Sequence, residues 1–156
     1  MLGPMVNPSF PQKQLIGVYN LELARLYNYL YQLSGIQYTI VHSLDGYDEV
    51  SLTSDFKYIL NGVEQIVSPE MLNYEKTTPA ELAGGSTVKE AGEIFTRILQ
   101  GKGTTAQNNV VFANTQLALK CYFPSRSLED CRKTAEESLF SGKAYGSLKK
   151  LIEMQP

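Results

Sequence analysis

The sequence contains one histidine, two cysteines and no long run of charge of either sign. His42 leaves at most one histidine for a metal cluster or a histidine-dependent nucleophile, so we expect it to be structural. Cys121 and Cys131 lie ten residues apart without a histidine nearby, a spacing that fits neither a zinc site nor a disulfide framework. Reduced thiols in a cytoplasmic protein are the expectation.

The charge balance and the lack of long apolar runs exclude several classes of partner. Fourteen basic against sixteen acidic residues give a net charge of -2. Nucleic acids and anionic membrane surfaces attract clustered positive charge, so neither is an expected partner. No apolar run reaches the roughly 20 residues of a membrane span, and no signal peptide follows Met1. One domain with a real core is expected for 156 residues.

The first third of the chain has the pattern of a β-α-β unit. Apolar residues 14–19 and β-branched and aromatic residues 38–41 are typical of strands, and Asn20 and Gly35 bound a helix between them. The apolar face predicted from the helical period contains Leu23, Leu26, Tyr27, Leu30 and Leu33. Two parallel strands with a right-handed crossover are predicted, which places the next loop at the carboxyl end of a strand.

The remainder predicts a β-hairpin and several helices. Asn61-Gly62 favours a tight turn between two short strands, residues 69–79 form an irregular connector, and Thr87 has capping-box spacing with Glu90. The predicted strands are 55–60 and 63–67, and the later helices are 109–122, 127–141 and 143–153.

The fold class that these elements predict is α/β. The parallel sheet has only two or three candidate strands beside an isolated hairpin, whereas parallel sheets usually contain several strands covered on both faces. We therefore expect an incomplete central parallel sheet. The alternative is a small sheet covered by four helices.

An acidic segment, Asp45-Gly-Tyr-Asp-Glu49, follows the second predicted strand. Open α/β sheets place ligands beyond the carboxyl ends of their parallel strands. The adjacent carboxylates of Asp48 and Glu49 suit Mg²⁺, which prefers one or two carboxylates plus substrate phosphate oxygens and water. The alternative is a solvated acidic turn.

The glycines predict no convincing phosphate-binding loop. Gly101-Lys102-Gly103 follows a helix instead of opening one, and no segment matches the P-loop or dinucleotide motifs. Gly84-Gly85 precedes a helix and fits a helix entry turn better than an anion site.

Five motifs resemble the second half of the anthranilate phosphoribosyltransferase family, in its order and at its spacing. They are Leu2-Gly-Pro-Met-Val-Asn-Pro8, Gln14-Leu-Ile-Gly-Val-Tyr19, Asp45-Gly-Tyr-Asp-Glu-Val-Ser51, Leu82-Ala-Gly-Gly85 and Asn109-Val-Val-Phe-Ala-Asn114. The resemblance covers essentially the whole chain. It implies that residues 1–156 form the C-terminal part of a nucleoside phosphorylase/phosphoribosyltransferase-like catalytic domain.

The resemblance also implies a reaction of tryptophan biosynthesis. The phosphoribosyl group of phosphoribosyl pyrophosphate is transferred to anthranilate, giving N-phosphoribosylanthranilate and pyrophosphate. In the family, the pair that matches Asp48 and Glu49 binds Mg²⁺ near the pyrophosphate. The Gly-Pro that matches Gly3 and Pro4 lines the anthranilate pocket. The resemblance assigns no catalytic residue to this chain.

Several features of the family do not occur in these 156 residues. They are its glycine-rich phosphate loop, its Lys-His-Gly-Asn segment, an arginine before the hinge and the N-terminal helical domain that forms the homodimer. We therefore expect a part of the enzyme that is inactive alone and lacks the dimer interface. Two alternatives stay open: a non-catalytic relative that binds nucleic acid, and a nucleoside phosphorylase. The intact Gly-Pro and Asp-Glu motifs favour the transferase.

Overall fold

The computed structural model describes residues 3–155, which form a four-stranded mixed sheet and five α-helices. In chain order the elements are β1 (Lys13–Gly17), α1 (Leu21–Ser34), β2 (Gln37–Ser43), β3 (Phe56–Leu60), β4 (Val63–Val67), α2 (Val88–Leu99), α3 (Thr105–Tyr122), α4 (Leu128–Phe140) and α5 (Lys143–Glu153). Short 3-10 turns cover Gly3–Met5, Pro69–Leu72 and Pro79–Leu82.

The predicted β-α-β unit is confirmed. β1 pairs with β2 in parallel, with Ile16 opposite Ile40. Asn20 caps α1 by accepting a hydrogen bond from the Leu23 N–H at 2.8 Å. Gly35 ends the helix in the left-handed conformation that glycine adopts without a steric cost. The loop after β2 therefore begins at the carboxyl end of a parallel strand.

The expectation that the hairpin is isolated from the sheet is wrong. β3 pairs antiparallel with β2, and β4 pairs with β3, so the sheet order is β1-β2-β3-β4. Phe56 and Ile59 of β3 are fully buried in the clusters on opposite faces of the sheet. The alternation of Phe56, Tyr58 and Leu60 indicated one buried face, and Ile59 supplies the second face of an interior strand.

The turn between β3 and β4 is the predicted Asn-Gly turn. Asn61 and Gly62 have φ values of 48° and 87°, as a tight hairpin turn requires. The Asn61 carboxamide oxygen also accepts a hydrogen bond from the Tyr38 N–H at 2.8 Å. Because Tyr38 belongs to β2, the turn fastens the hairpin to the rest of the sheet.

Two apolar clusters cover the two faces of the sheet. One contains residues of α1, β1 and β2 with Ile59, and the other joins β3, the loop after β2, and helices α3 and α4. The predicted face of α1 is partly wrong, since Leu26 and Leu33 are 49% and 72% exposed. Leu23 and Tyr27 are buried as predicted. Tyr31, which was not predicted, is buried as well, and its ring stacks on Tyr38 of β2 at 5.3 Å.

One helix start and one helix cap differ from the sequence prediction. α3 begins at Thr105, four residues early, because Thr104 and Gln107 form a capping box. At α2 the predicted capping box is half formed: Thr87 accepts from the Glu90 N–H, but the Glu90 carboxylate accepts from the Ser86 N–H. None of the helices within residues 3–155 is long and apolar enough to cross a membrane.

Candidate functional site

The loop between β2 and β3 exposes Asp48 and Glu49 beyond the carboxyl end of β2. Its first half is a tight turn closed by two backbone hydrogen bonds of 2.9 Å. The Ser43 carbonyl oxygen accepts from the Gly46 N–H, and the Ser43 N–H donates to the Tyr47 carbonyl oxygen. Gly46 has a φ of 101°, which favours glycine at this position. The prediction that these carboxylates lie at the sheet end is confirmed.

Buried hydroxyl groups support the loop from below. Ser43 and Ser51 are buried, and the Ser43 hydroxyl donates to the Glu49 carbonyl oxygen at 2.6 Å. The same hydroxyl oxygen accepts the Ser51 N–H at 3.2 Å, and the Thr53 hydroxyl donates to the Asp45 carboxylate. The loop backbone is thus fixed although its acidic side chains face solvent.

A side chain of α3 holds the loop just after the acidic pair. The Asn114 carboxamide accepts the Val50 N–H at 3.0 Å and donates to the Val50 carbonyl at 2.9 Å. Its nitrogen also lies 3.0 Å from the Val110 carbonyl oxygen. Val50 is completely buried, so Asn114 supplies the polar partners that water cannot reach.

The last residue of β1 lies directly against the backbone of Asp48. A Cβ atom built on Gly17 would lie 2.8 Å from the Asp48 carbonyl carbon and closer still to its oxygen. Only a residue without a side chain permits this approach. Nearby, the buried His42 ring has its Nδ1 2.8 Å from the Val18 carbonyl oxygen, which agrees with the predicted structural role.

Basic side chains of the described residues do not balance the charges of Asp48 and Glu49. No ion pair found within residues 3–155 includes Asp48 or Glu49. Partial burial raises the pKa of Glu49 above its ordinary value, and repulsion by the Asp48 carboxylate raises it further. A bound cation would relieve this repulsion.

The donor set fits one type of metal better than others. In the described part of the chain, no group of three or more His, Cys, Asp or Glu side chains is arranged to bind a metal. Two exposed carboxylates therefore do not form a closed cage of the kind that zinc or calcium prefers. They fit Mg²⁺, which keeps several waters and takes further oxygens from a substrate phosphate.

The second predicted site lies near the start of β1. Pro4 belongs to the turn Gly3–Met5, and its carbonyl oxygen accepts a hydrogen bond from the Gln14 side chain at 2.7 Å. Pro4 lines a cavity of about 230 Å³ together with Phe10, Gln12 and other residues, whereas Gly3 is not in its wall.

Both sites rest on β1, but the structure does not join them into one pocket. Pro4 is anchored to Gln14, and Asp48 contacts Gly17, three residues further along the strand. Three residues of an extended strand span about 10 Å. Asp48 and Glu49 are thus brought together, while Pro4 lies toward the opposite end of the same strand.

Comparison with known proteins identifies the family. The family model described as "Glycosyl transferase family, a/b domain" matches residues 1–145. The chain belongs to this glycosyl transferase family. Curated relatives include the anthranilate phosphoribosyltransferases of Flavobacterium johnsoniae, 52% identical over 158 residues, and of Bacteroides fragilis, 49% identical over 154 residues. Each comparison covers 99% of this chain and 46% of the relative, so the chain spans less than half of the length of either protein.

Solved structures confirm the α/β fold of this glycosyl transferase domain. The anthranilate phosphoribosyltransferase from Saccharomyces cerevisiae in complex with PRPP and Mg superimposes with a TM-score of 0.86 at 26% identity. That comparison covers 97% of this chain and 44% of the yeast chain. The enzyme from Thermus thermophilus has a TM-score of 0.85 at 24% identity, over 96% of this chain and 45% of that one. The family resemblance of the sequence motifs is therefore confirmed.

Sequence reasoning missed the residues that support the acidic loop. Gly17 carried a usable signal, because a glycine inside an apolar strand often marks a close approach of another backbone. Asn114 lies in a largely apolar stretch of α3, but its partner Val50 is 64 residues away in sequence. Nothing local predicts such a contact.

Proposed function

We propose that this chain carries the metal-binding part of an anthranilate phosphoribosyltransferase. The reaction, a step of tryptophan biosynthesis, transfers the phosphoribosyl group of phosphoribosyl pyrophosphate to the amino group of anthranilate and releases pyrophosphate. The names of the relatives at about 50% identity support this assignment. The observation that carries it is the acidic pair, because Asp48 and Glu49 expose carboxylates that form no ion pair within residues 3–155 and lie on a backbone fixed by β1, β2 and α3.

Asp48 and Glu49 would hold Mg²⁺ in this reaction. The ion supplies charge that offsets the negative charge of the pyrophosphate leaving group. The chain contributes two carboxylates that are already in place before the substrate binds, because the loop beneath them is hydrogen-bonded. Their mutual repulsion favours occupation by a cation.

The Gly3-Pro4 turn would form part of the anthranilate pocket. A proline has a fixed φ, so Pro4 presents a wall whose position changes little. The adjoining cavity of about 230 Å³ is below the roughly 300 Å³ at which pockets for drug-sized ligands begin, which suits a ligand with a single ring.

The remaining substrate contacts would come from sequence that these 156 residues do not include. The relatives are more than twice as long as this chain. We expect the phosphate-binding loop and the homodimer interface of the family there, and therefore no turnover by this chain alone. The acidic pair and the net charge of -2 disfavour nucleic acid as a partner, and a cytoplasmic location fits the chemistry.

The test is a fusion. This chain is joined to the N-terminal half of the Flavobacterium johnsoniae relative, and the loss of anthranilate fluorescence is followed with phosphoribosyl pyrophosphate and Mg²⁺. We expect turnover by the fusion and none by the chain alone. Changing Asp48→Asn and Glu49→Gln together should reduce turnover about 100-fold or more.

A control for the change of charge alters another adjacent acidic pair, Glu129→Gln with Asp130→Asn at the start of α4, where Glu129 pairs with Lys133 and Asp130 accepts a hydrogen bond from the Ser127 hydroxyl. It removes the same amount of negative charge as the Asp48 and Glu49 changes, but at a place far from the loop in the sequence. The turnover of this variant should stay close to that of the unmodified fusion. If the fusion is active and the Asp48 and Glu49 changes leave its rate unchanged, the metal-binding role is wrong. An inactive fusion that is correctly folded would instead count against the transferase assignment.

A further inference from the structure

We propose that Gly17 and Asn114 are positioning residues that set the place of the Asp48–Glu49 pair for its metal ion. The inference rests on the proposed function, since it concerns how the same carboxylates are held. Neither residue would hold the ion itself. Gly17 has no side chain, and the polar atoms of Asn114 are engaged with Val50 and Val110.

Gly17 fixes the Asp48 side of the pair. The space that a Cβ would need on Gly17 is occupied by the Asp48 carbonyl group, and the Asp48 Cβ would lie only 3.3 Å away. The conflict is with backbone atoms, which cannot rotate away as a flexible side chain can. Any residue larger than glycine must therefore push the Asp48 peptide outward, and the carboxylate moves with it.

Asn114 fixes the Glu49 side of the pair. Its two hydrogen bonds to the N–H and the carbonyl of Val50 hold that residue in both position and orientation. The Ser43 hydroxyl adds a bond to the Glu49 carbonyl oxygen. The pair is consequently held between the end of β1 and the side of α3, two elements that meet only in the folded protein.

This arrangement matters for a metal with strict geometry. Mg²⁺ demands near-ideal octahedral coordination at short distances, and metal sites tolerate displacements of only about 0.2 Å. Removal of groups that orient metal ligands typically lowers the affinity about 10-fold to 100-fold. Changes at Gly17 or Asn114 should therefore weaken the binding of Mg²⁺ while both carboxylates stay in the chain.

The experiment measures metal binding without turnover. Mg²⁺ is titrated into the ¹⁵N-labelled 156-residue chain, and the dissociation constant is taken from the shifts of the Asp48 and Glu49 amide resonances. We expect Gly17→Ala to raise this constant about 10-fold or more. The control is Gly146→Ala in α5, where a Cβ would meet no atom within 4 Å, and its constant should equal that of the unmodified chain.

A second variant is available if Gly17→Ala does not fold. Asn114→Ala should weaken Mg²⁺ binding to a similar extent, and Asn109→Ala serves as its control on the same helix, since Asn109 has no side-chain hydrogen bond in the described part of the chain. A folded variant of either kind that binds Mg²⁺ as tightly as the unmodified chain overturns the positioning role and leaves the proposed function intact. If the unmodified chain shows no Mg²⁺-dependent shift at Asp48 or Glu49, the metal role of the pair fails, and the positioning role fails with it.

Discussion

Asn114 binds both the N–H and the carbonyl group of Val50 through one carboxamide, joining α3 to the loop that carries the acidic pair. Val50 is completely buried, so its backbone groups have no access to solvent. These two hydrogen bonds take the place of the backbone hydrogen bonds that Val50 would make with a neighbouring strand in a sheet. An irregular loop is thereby held in one position.

Removal of this carboxamide should destabilise the fold. Asn114→Ala leaves the buried Val50 N–H and carbonyl without their partner, and an unsatisfied buried group costs about 1–3 kcal/mol. We expect the free energy of unfolding, measured in urea, to fall by about 2 kcal/mol. Asn109→Ala on the same helix should stay within about 0.5 kcal/mol of the unmodified chain. Equal stability of the two variants would contradict the structural role of Asn114.

Neutralisation of the acidic pair should leave stability unchanged or slightly higher. Asp48 and Glu49 are exposed, and the pKa of Glu49 is raised first by partial desolvation of its carboxyl group and then by repulsion from Asp48. Asp48→Asn with Glu49→Gln removes that repulsion without breaking an ion pair found within residues 3–155. Unfolding in the absence of divalent ions should show no loss. A marked loss would mean that the carboxylates serve the fold and not a ligand.

The same substitution should have opposite effects at two glycines. Gly62 has a φ of 87° in the hairpin turn, so Gly62→Ala strains the backbone and should cost about 1–2 kcal/mol. Gly92 lies inside α2, and a Cβ there would meet no atom within 4 Å, so Gly92→Ala should stabilise by about 0.5–1 kcal/mol. Urea unfolding of both variants checks the signs. A gain at Gly62 would contradict the turn geometry.

Local chemistry in the sequence was sufficient for several parts of this fold. Asn20 and Gly35 bound α1, and Asn61-Gly62 forms the hairpin turn, because each depends on a backbone preference of the residue itself. The position of Asp48 and Glu49 was predictable because they follow the second strand of a β-α-β unit, where ligands commonly bind, and their role as metal ligands stays a prediction. Patterns of this kind need no knowledge of distant contacts.

Other parts depended on tertiary contacts and could not be predicted. Ile59 makes β3 an interior strand, which required knowing that α1 covers one face of the sheet and α3 the other. Leu26 and Leu33 match the helical period as well as Tyr27 does, and which of them is buried depends on the packing of α1 against the sheet, where Tyr31 stacks on Tyr38. The supports of the acidic pair are of the same kind, since Asn114 and Val50 meet only in three dimensions.

Tyr74 should make the stability of the fold depend on alkaline pH. The residue lies in the connector after β4 and is buried, and its hydroxyl donates to the buried Gln116 side chain at 2.9 Å. Burial raises the pKa of Tyr74 from 10.0 to about 12, although the nearby Arg132 guanidinium lowers it somewhat. The folded chain therefore keeps the phenol proton at a pH where the unfolded chain has lost it.

The sign of the effect follows from this difference in proton binding. The contribution of the protonated Tyr74 to the free energy of unfolding is fully present below about pH 10. It is lost as the pH rises toward about 12, the pKa of Tyr74 in the folded chain. At about pH 11 the loss should be about 1.4 kcal/mol relative to about pH 8. Tyr74→Phe has no proton to lose at this position, so the stability advantage of the unmodified chain over this variant should shrink by that amount. Tyr29→Phe, at a tyrosine that is 63% exposed, serves as the control for loss of a phenol hydroxyl. If the gap between the unmodified chain and Tyr74→Phe stays constant from about pH 8 to about pH 11, then Tyr74 titrates normally in the folded state and its hydroxyl is not held neutral by burial against Gln116.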